Sequence, residues 1–507
     1  MKPFAPTLKE VHTNFLYEPL SIDPRKKTDP VSNTLHFMLY EGLMKLESDG
    51  KLSFAIAESV HISQDQLVYT FRLKETFWSD GTPLTAHDFE ASWKSLLSPH
   101  FPSSASHLLF PILNAKQTKE GLCDLDAVGV RAFDNHTLVV TLERPLPYFL
   151  ELTAFVTYFP VPFCGREVEA FKGEDHMVTN GPFKMVFWKD AYEIIVTKNP
   201  HFWNEKAVKI DRICMKIISE EKTALHLFEK GKLDWIGGLI SPLPIDAIPT
   251  LTRANAIKIH PIAGTNFCSF NTKKKLFGNL HIRRAFAYAI NRKLIIQHVT
   301  QMFDQVATGP VPPILKNGET PFFTDGDADR ARKEFEIGLR ELGIKREDLA
   351  TPTYIFFASE LQRRIAHVLQ SQWEEVLAIK VDLQSMEIKT FLSKLHQKEF
   401  EFAQMSWIAQ FYDRMSFLER FIYKNSSRNY GSWESPRFQE LVERSFYTLS
   451  KQEREQLLEQ AEQVISEEMA IAPINHYKAL YLTNPKLSDV HISPLGNVDF
   501  RYADFRS

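Results

Sequence analysis

The chain has 507 residues, 44% of them hydrophobic and 39 of them phenylalanine, which is enough for about three domains with sizeable cores. A formal net charge of −3 argues against the cationic surface that nucleic acid requires, and no run approaches the roughly 18 continuous apolar residues of a membrane helix. Four cysteines, Cys123, Cys164, Cys214 and Cys268, lie far apart with no C-x-x-C pair, so a zinc or redox motif is unsupported and buried free thiols are expected.

In chain order, the first clear element is a strand in which Leu67, Tyr69, Phe71 and Leu73 alternate at period two. The run Trp78-Ser79-Asp80-Gly81-Thr82-Pro83-Leu84-Thr85-Ala86-His87-Asp88-Phe89 then reads as a strand end, a tight turn and a helix start. Asp80-Gly81 supplies the turn, because glycine takes positive φ at little cost. Thr85 suits an N-cap, with Asp88 at the third helical position near the positive end of the helix dipole. Phe89, Trp93, Leu96 and Leu97 follow at helical spacing. Leu138, Val140 and Leu142, and then Tyr192, Ile194 and Val196, alternate as strands. Ser435-Pro436 reads as a cap and first helical residue. Ser450 and Glu453 read as a capping box ahead of the apolar stripe Leu457, Leu458, Ala461, Val464 and Ile465. Helices interleaved with strands indicate α/β lobes, and no repeat or low-complexity linker marks a boundary.

The Trp78 run resembles the signature of the peptide/nickel class of solute-binding proteins that serve bacterial ABC importers. The likeness continues through Val178-Thr179-Asn180-Gly181-Pro182-Phe183-Lys184, Lys198-Asn199-Pro200-His201-Phe202-Trp203 and Gly231-Lys232-Leu233-Asp234. It extends to the helix-like Ile282-Arg283-Arg284-Ala285-Phe286-Ala287-Tyr288-Ala289-Ile290-Asn291-Arg292 and to Ala472-Pro473-Ile474. The resemblance implies an α/β, two-lobed periplasmic-binding-protein fold with two hinge crossings, near Gly264 and Asn475, and an additional inserted domain. Lobe I would comprise 1–43, 168–263 and 476–507, the inserted domain 44–167, and lobe II 264–475. The relatives' disulfide near the ligand site has no counterpart, since its two positions correspond to Gly264 and Ile408.

No catalytic constellation stands out: G-x-S-x-G, a P-loop, G-x-G-x-x-G and H-E-x-x-H are all absent. The 17 histidines do not pair at metal-ligand spacing, His87 reads as a solvated helix start and Lys273-Lys274-Lys275 as a solvated face. Asp80 and Asp234 occupy positions that look structural in the family. No cofactor, no metal and no enzymatic activity are expected.

Binding residues follow from the resemblance. Ser406, Trp407, Ile408, Ala409, Gln410, Phe411 and Tyr412 are similar to the family's cleft strand and loop, whose backbone pairs with an extended peptide as an added strand. Val31, Ser32 and Asn33 resemble the opposite wall. Asn266 and Phe267 flank the first crossing, and His476 and Tyr477 the second. Trp407 and Phe267 fit either a cleft wall or a core. Peptide-binding relatives place an aspartate for the peptide α-ammonium where this chain has Gln410, and an arginine where it has Gln404. A neutral amide cannot neutralise a buried charge, so Asp413 or Asp29 would have to substitute, or the ligand differs. The expected function is an extracytoplasmic protein, monomeric, that captures oligopeptides in an interlobe cleft and delivers them to an inner-membrane ABC permease. The same fold holding glutathione, a cell-wall peptide, a nickel chelate or haem, or a receptor without transport, are the alternatives. Met1-Lys2-Pro3-Phe4 shows no apolar signal region and no cysteine for a lipid anchor lies nearby. Beside an exported family, this implies a mature, periplasmic chain.

Overall fold

The structure, a computed structural model, describes residues 8–26, 29–162, 177–316, 318 and 321–506. The chain divides into two compact units, Met1–His260 with Ala479–Ser507, and Pro261–Lys478. No helix among the described residues is long and apolar enough to cross a membrane.

The first unit contains two separate four-stranded sheets. In one, Glu10–Phe15 pairs in parallel with Arg212–Ile217, followed by Glu193–Lys198 and Phe183–Lys189 in antiparallel. In the other, Ala57–Ile62, Val68–Leu73, Thr137–Thr141 and Val130–Asp134 form an antiparallel sheet. Tyr69, Phe71 and Leu73 of its second strand are buried, as their alternation predicts, while Leu67 lies one residue before the strand. The helix Ala86–Leu97 buries Phe89, Trp93, Leu96 and Leu97, and begins at Thr85, whose N–H donates to the Asp88 carboxylate at 2.7 Å. Gly81 takes φ +87° in the preceding turn. Tyr192 departs from the expected alternation: it is 54% exposed and lies in the turn before Glu193.

The second unit is built on a sheet in which Ile471–Thr483, Lys258–Phe270, Phe402–Ile408, Thr353–Phe357 and Asp382–Met386 are successive neighbours. Its core is aromatic. Phe402 lies 4.8 Å from both Phe277 and Tyr354, 5.2 Å from Trp373 and 5.4 Å from Phe286, ring centre to ring centre. The helices Leu280–Tyr288, Ala328–Leu342 and Glu360–Leu377 bury their apolar stripes in this cluster. The stretch expected as one helix through Arg292 ends at Tyr288, and Asn291 caps a new turn by accepting from the Leu294 N–H. In Lys451–Glu467 the Ser450 hydroxyl caps the Glu453 N–H and the predicted stripe is buried. Ser435 stands at its cap position but its hydroxyl donates to Glu468 at 2.9 Å. Cys214 and Cys268 are buried free thiols, Cys123 is a partly buried one, and Cys164 lies outside the described residues.

Candidate functional site

The strand Phe402–Ile408 is paired along its whole length on one side, with Gly264–Phe270. On the other side it meets Thr353–Phe357 only at Phe402 and Ala403. From Gln404 to Ile408 that second edge has no ladder partner among the described residues. Its N–H and C=O groups form a half-made ladder that an extended chain can complete. Side chains on one face follow from the register: Gly264 opposes Ile408, Asn266 opposes Ser406 and Cys268 opposes Gln404.

That face, and the turn that follows the strand, carry polar atoms that are buried without a hydrogen-bond partner. Gln404 is buried with neither end of its amide satisfied, and the carbonyl oxygens of the Asn266 and Gln410 side chains are in the same state. Such atoms are expensive to leave unmade and are normally satisfied by protein, water or ligand. The Asn266 amide nitrogen reaches Asn475 at 3.2 Å, and Asn475 donates to Asp304 at 2.9 Å. Burial pushes the Asp304 carboxyl up to about 7, although it accepts the Lys478 N–H. Ser406 is exposed and shares a side-chain hydrogen bond with Tyr477.

Trp407 is partly exposed and lies on the opposite face. Its indole nitrogen donates to the Ser416 carbonyl at 2.8 Å, and the buried Arg420 guanidinium lies 4.0 Å above its ring. Phe267 is buried on that same face, opposite Met405. Ala409 is buried, its N–H bonded to Ala263, and the Gln410 N–H is held by the Ser416 hydroxyl.

Other expected residues are committed elsewhere. Tyr412 donates to the Ile314 carbonyl at 2.6 Å. Asp413 forms a two-pronged pair with Arg454, at 2.7 and 2.9 Å, so its charge is already neutralised. His476 is buried, its Nδ1 2.9 Å from the Thr265 hydroxyl, and burial lowers it to about 3, leaving a neutral ring. It borders a pocket of about 720 Å³ in the second unit, shared with Lys316, Phe322 and Arg330. In the first unit Val31 and Ser32 are buried in the opening turn of the helix Pro30–Leu39, and Asn33 has a buried, unpartnered side-chain oxygen. Asp29 caps that helix: Oδ1 accepts from the N–H groups of Val31 and Ser32 and from the Tyr17 hydroxyl. Its Oδ2 is buried without a partner.

Comparison with known proteins fixes the lineage. The family of bacterial extracellular solute-binding proteins, family 5 Middle, matches residues 51–429. The chain belongs to this family. It is 35% identical to the oligopeptide-binding protein OppA of Bacillus subtilis, over 98% of this chain and 92% of that one. It is 30% identical to the dipeptide-binding protein DppE of the same organism, with the same coverage. Among solved structures, the periplasmic oligopeptide-binding protein OppAIV of Borrelia burgdorferi superposes with a TM-score of 0.85 at 25% identity, over 98% of this chain and 100% of that one. The fold is the two-lobed α/β fold of periplasmic binding proteins.

The family motifs turn out to be scaffold. Asn180 exchanges two hydrogen bonds with the backbone of Glu41, at 2.9 and 3.2 Å, and Asn199 donates to the Gly181 carbonyl. Ser79 and Thr179 are likewise tied by two bonds. Asp234 accepts from the His12 N–H and from Asn484. Arg283 donates to backbone carbonyls, and Arg292 to carbonyls and to the Asp325 carboxylate, reaching Pro473 of the A-P-I segment at 2.6 Å. Asp304 and Arg420 were not singled out by sequence. Their burial depends on the strand pairing, which no local pattern announces.

Proposed function

We propose that this protein captures oligopeptides outside the cytoplasm, holding them in a cleft closed by its two lobes, and hands them to an ABC permease without covalent chemistry. The observation that carries the reading is the edge Gln404–Ile408, unpaired among the described residues, with the Gln404 amide and the side-chain carbonyl oxygens of Asn266 and Gln410 unsatisfied beside it. A backbone ladder supplies affinity largely independent of side chains, which suits a carrier of varied peptides. The names of the similar proteins, oligopeptide- and dipeptide-binding, support the same ligand class. Lobe I would comprise 1–43, 168–263 and 476–507, and lobe II 264–475. Residues 44–167 would form the inserted domain, a division supported by their separate antiparallel sheet. A periplasmic location follows the family's exported character. Ser406, Trp407, Ile408, Ala409 and Gln410 would line the peptide, with Asn266, Phe267 and Tyr477 beside them.

Calorimetry with a set of oligopeptides tests this. Peptides of different sequence should bind with similar affinity and be recovered intact by mass spectrometry. Methylating the peptide nitrogens that face the edge should weaken binding by at least about tenfold per lost bond. Equal affinity for methylated and unmethylated peptides would refute the added-strand mode, and recovery of cleaved peptide would refute the purely binding role.

A further inference from the structure

Away from the peptide-pairing strand, in the first unit, three side chains of metal-ligating type converge. In the parallel pairing of Glu10–Phe15 with Arg212–Ile217, His12 stands directly beside Cys214, and Glu10 lies one pleat away on the same face. The Cys214 sulfur is 3.1 Å from Glu10 Oε1, and His12 Nε2 is 3.3 Å from that oxygen. One donor atom from each residue lies within 4.8 Å of the other two.

The alternation of the strand makes the cysteine conspicuous. Ile213 and Met215 point into the core, fully buried, which puts Cys214 on the other face with Arg212 and Lys216. Cys214 is itself buried, but its neighbours on that face are charged rather than apolar. Zinc bonds of about 2.3 Å to sulfur and about 2.0–2.2 Å to nitrogen and oxygen imply tetrahedral edges of about 3.4–3.6 Å between donors. Two of the three separations, 3.1 and 3.3 Å, therefore need to widen by only a few tenths of an ångström, and the third, between His12 and Cys214, lies within 4.8 Å. The side chains of His12 and Glu10 are 40% and 26% exposed, so an ion can reach the buried Cys214 sulfur from their side and water can supply a fourth ligand. Burial and then the neighbouring Glu10 carboxylate push the Cys214 thiol up to about 12, with Glu193 acting the same way and Arg212 opposing, so without a metal the sulfur keeps its proton.

We propose that Glu10, His12 and Cys214 form a binding site for zinc or a similar borderline divalent ion. The sulfur and imidazole donors select against calcium and magnesium, which take oxygen ligands. On binding, the Cys214 S–H bond breaks, a metal–sulfur bond forms and the proton leaves to solvent, with no change of oxidation state. The site is separate from the peptide reading and stands or falls without it.

Titration of the full chain with cobalt chloride tests the site. One cobalt ion per chain should bind, giving the near-ultraviolet sulfur-to-cobalt charge-transfer band, and zinc chloride should abolish the band by displacement. Cys214→Ser should remove the band. Glu10→Gln and His12→Gln should weaken cobalt binding by about tenfold or more, with peptide affinity unchanged in all three. Absence of the band in the unmodified protein overturns the proposal, as does a band that survives Cys214→Ser, which would place the cobalt on another thiol. Should Cys214→Ser not fold, unchanged cobalt affinity in His12→Gln overturns it and the weakened affinity supports it.

Discussion

Asp29 and Asp413, the two acids that could stand in for the charge missing at Gln410, behave differently as individual residues. Asp413 is held by Arg454, whereas Asp29 keeps one buried oxygen free. Asp29→Asn retains an N-cap side chain while deleting the charge. It should therefore weaken peptides with a free α-amine and leave N-acetylated ones unchanged, as calorimetry on the two sets would show. Asp413→Asn should instead lower the melting temperature, because it strips the counter-charge from buried Arg454. Equal losses for both peptide sets in Asp29→Asn would remove that residue as the amine anchor. A second residue-scale prediction concerns pH. Native Asp304 keeps its proton up to about pH 7, while an unfolded aspartate releases it near pH 4. Between those values the folded state binds more protons, so this group's contribution to stability is full below about pH 4 and falls as pH rises. His36 and His476, lowered by burial to about 4 and about 3, act in the opposite sense, and their contribution falls as pH drops below about 6.5. The melting temperature of Asp304→Asn, minus that of the unmodified protein, should thus climb between pH 4 and pH 7. Parallel profiles would contradict the assignment.

Elements whose instructions are local were legible in the sequence. Thr85 with Asp88, Ser450 before its apolar stripe, and the Tyr69-Phe71-Leu73 alternation each specify structure within one or two turns of chain. Tyr192 and the broken helix after Tyr288 were misread because a turn and a capping asparagine override periodicity over a few residues. The candidate site was legible only as a resemblance. The free edge of Phe402–Ile408 exists because Thr353–Phe357 pairs with it at two positions and then diverges, a tertiary fact without a sequence signal. The Glu10, His12 and Cys214 cluster was invisible for the same reason, since parallel pairing joins segments some two hundred positions apart. The motif elements yield their own tests. A Cβ at Gly181 would lie 2.5 Å from the Leu39 carbonyl carbon and 2.6 Å from the Tyr40 nitrogen, both backbone atoms. Gly181→Ala should cost about 2 kcal/mol or more in denaturant unfolding, and a neutral result would mean the turn is more pliable than drawn. At Gly264 the obstacle is the Tyr477 ring, 2.6 Å from a built Cβ, although Ile408 stands directly opposite in register. Paired cysteines at 264 and 408 should oxidise slowly in this chain and readily once Tyr477→Ala is added, as loss of two hydrogens by mass spectrometry would report.

For the molecule as a whole, each unit has its own core, yet they differ in how the chain supplies it. Pro261–Lys478 is continuous, whereas the other unit takes its last piece from the far end of the sequence. That piece is built in deeply. Arg501 pairs with Glu41, both buried, Tyr502 accepts from Lys45 and Asn484 donates to Asp234, while Asp504 and Lys9 meet at the surface. Removing one member of a buried ion pair costs roughly 3–5 kcal/mol, so a chain ending at Lys478 should leave the first unit unstable. Pulsed proteolysis of that truncated chain should cut within 8–260 and spare 261–478; equal resistance of both regions would show the C-terminal segment to be dispensable. A time order follows for the polypeptide as it emerges from the ribosome. Chains generally fold from the N terminus as they are made. Here the residues synthesised first must wait, incomplete, with Glu41 facing its future partner's empty place, while the later stretch can already close on itself. The unit whose residues come earlier is the unit completed later, and the interval between is when this chain depends most on whatever keeps unfolded polypeptides apart.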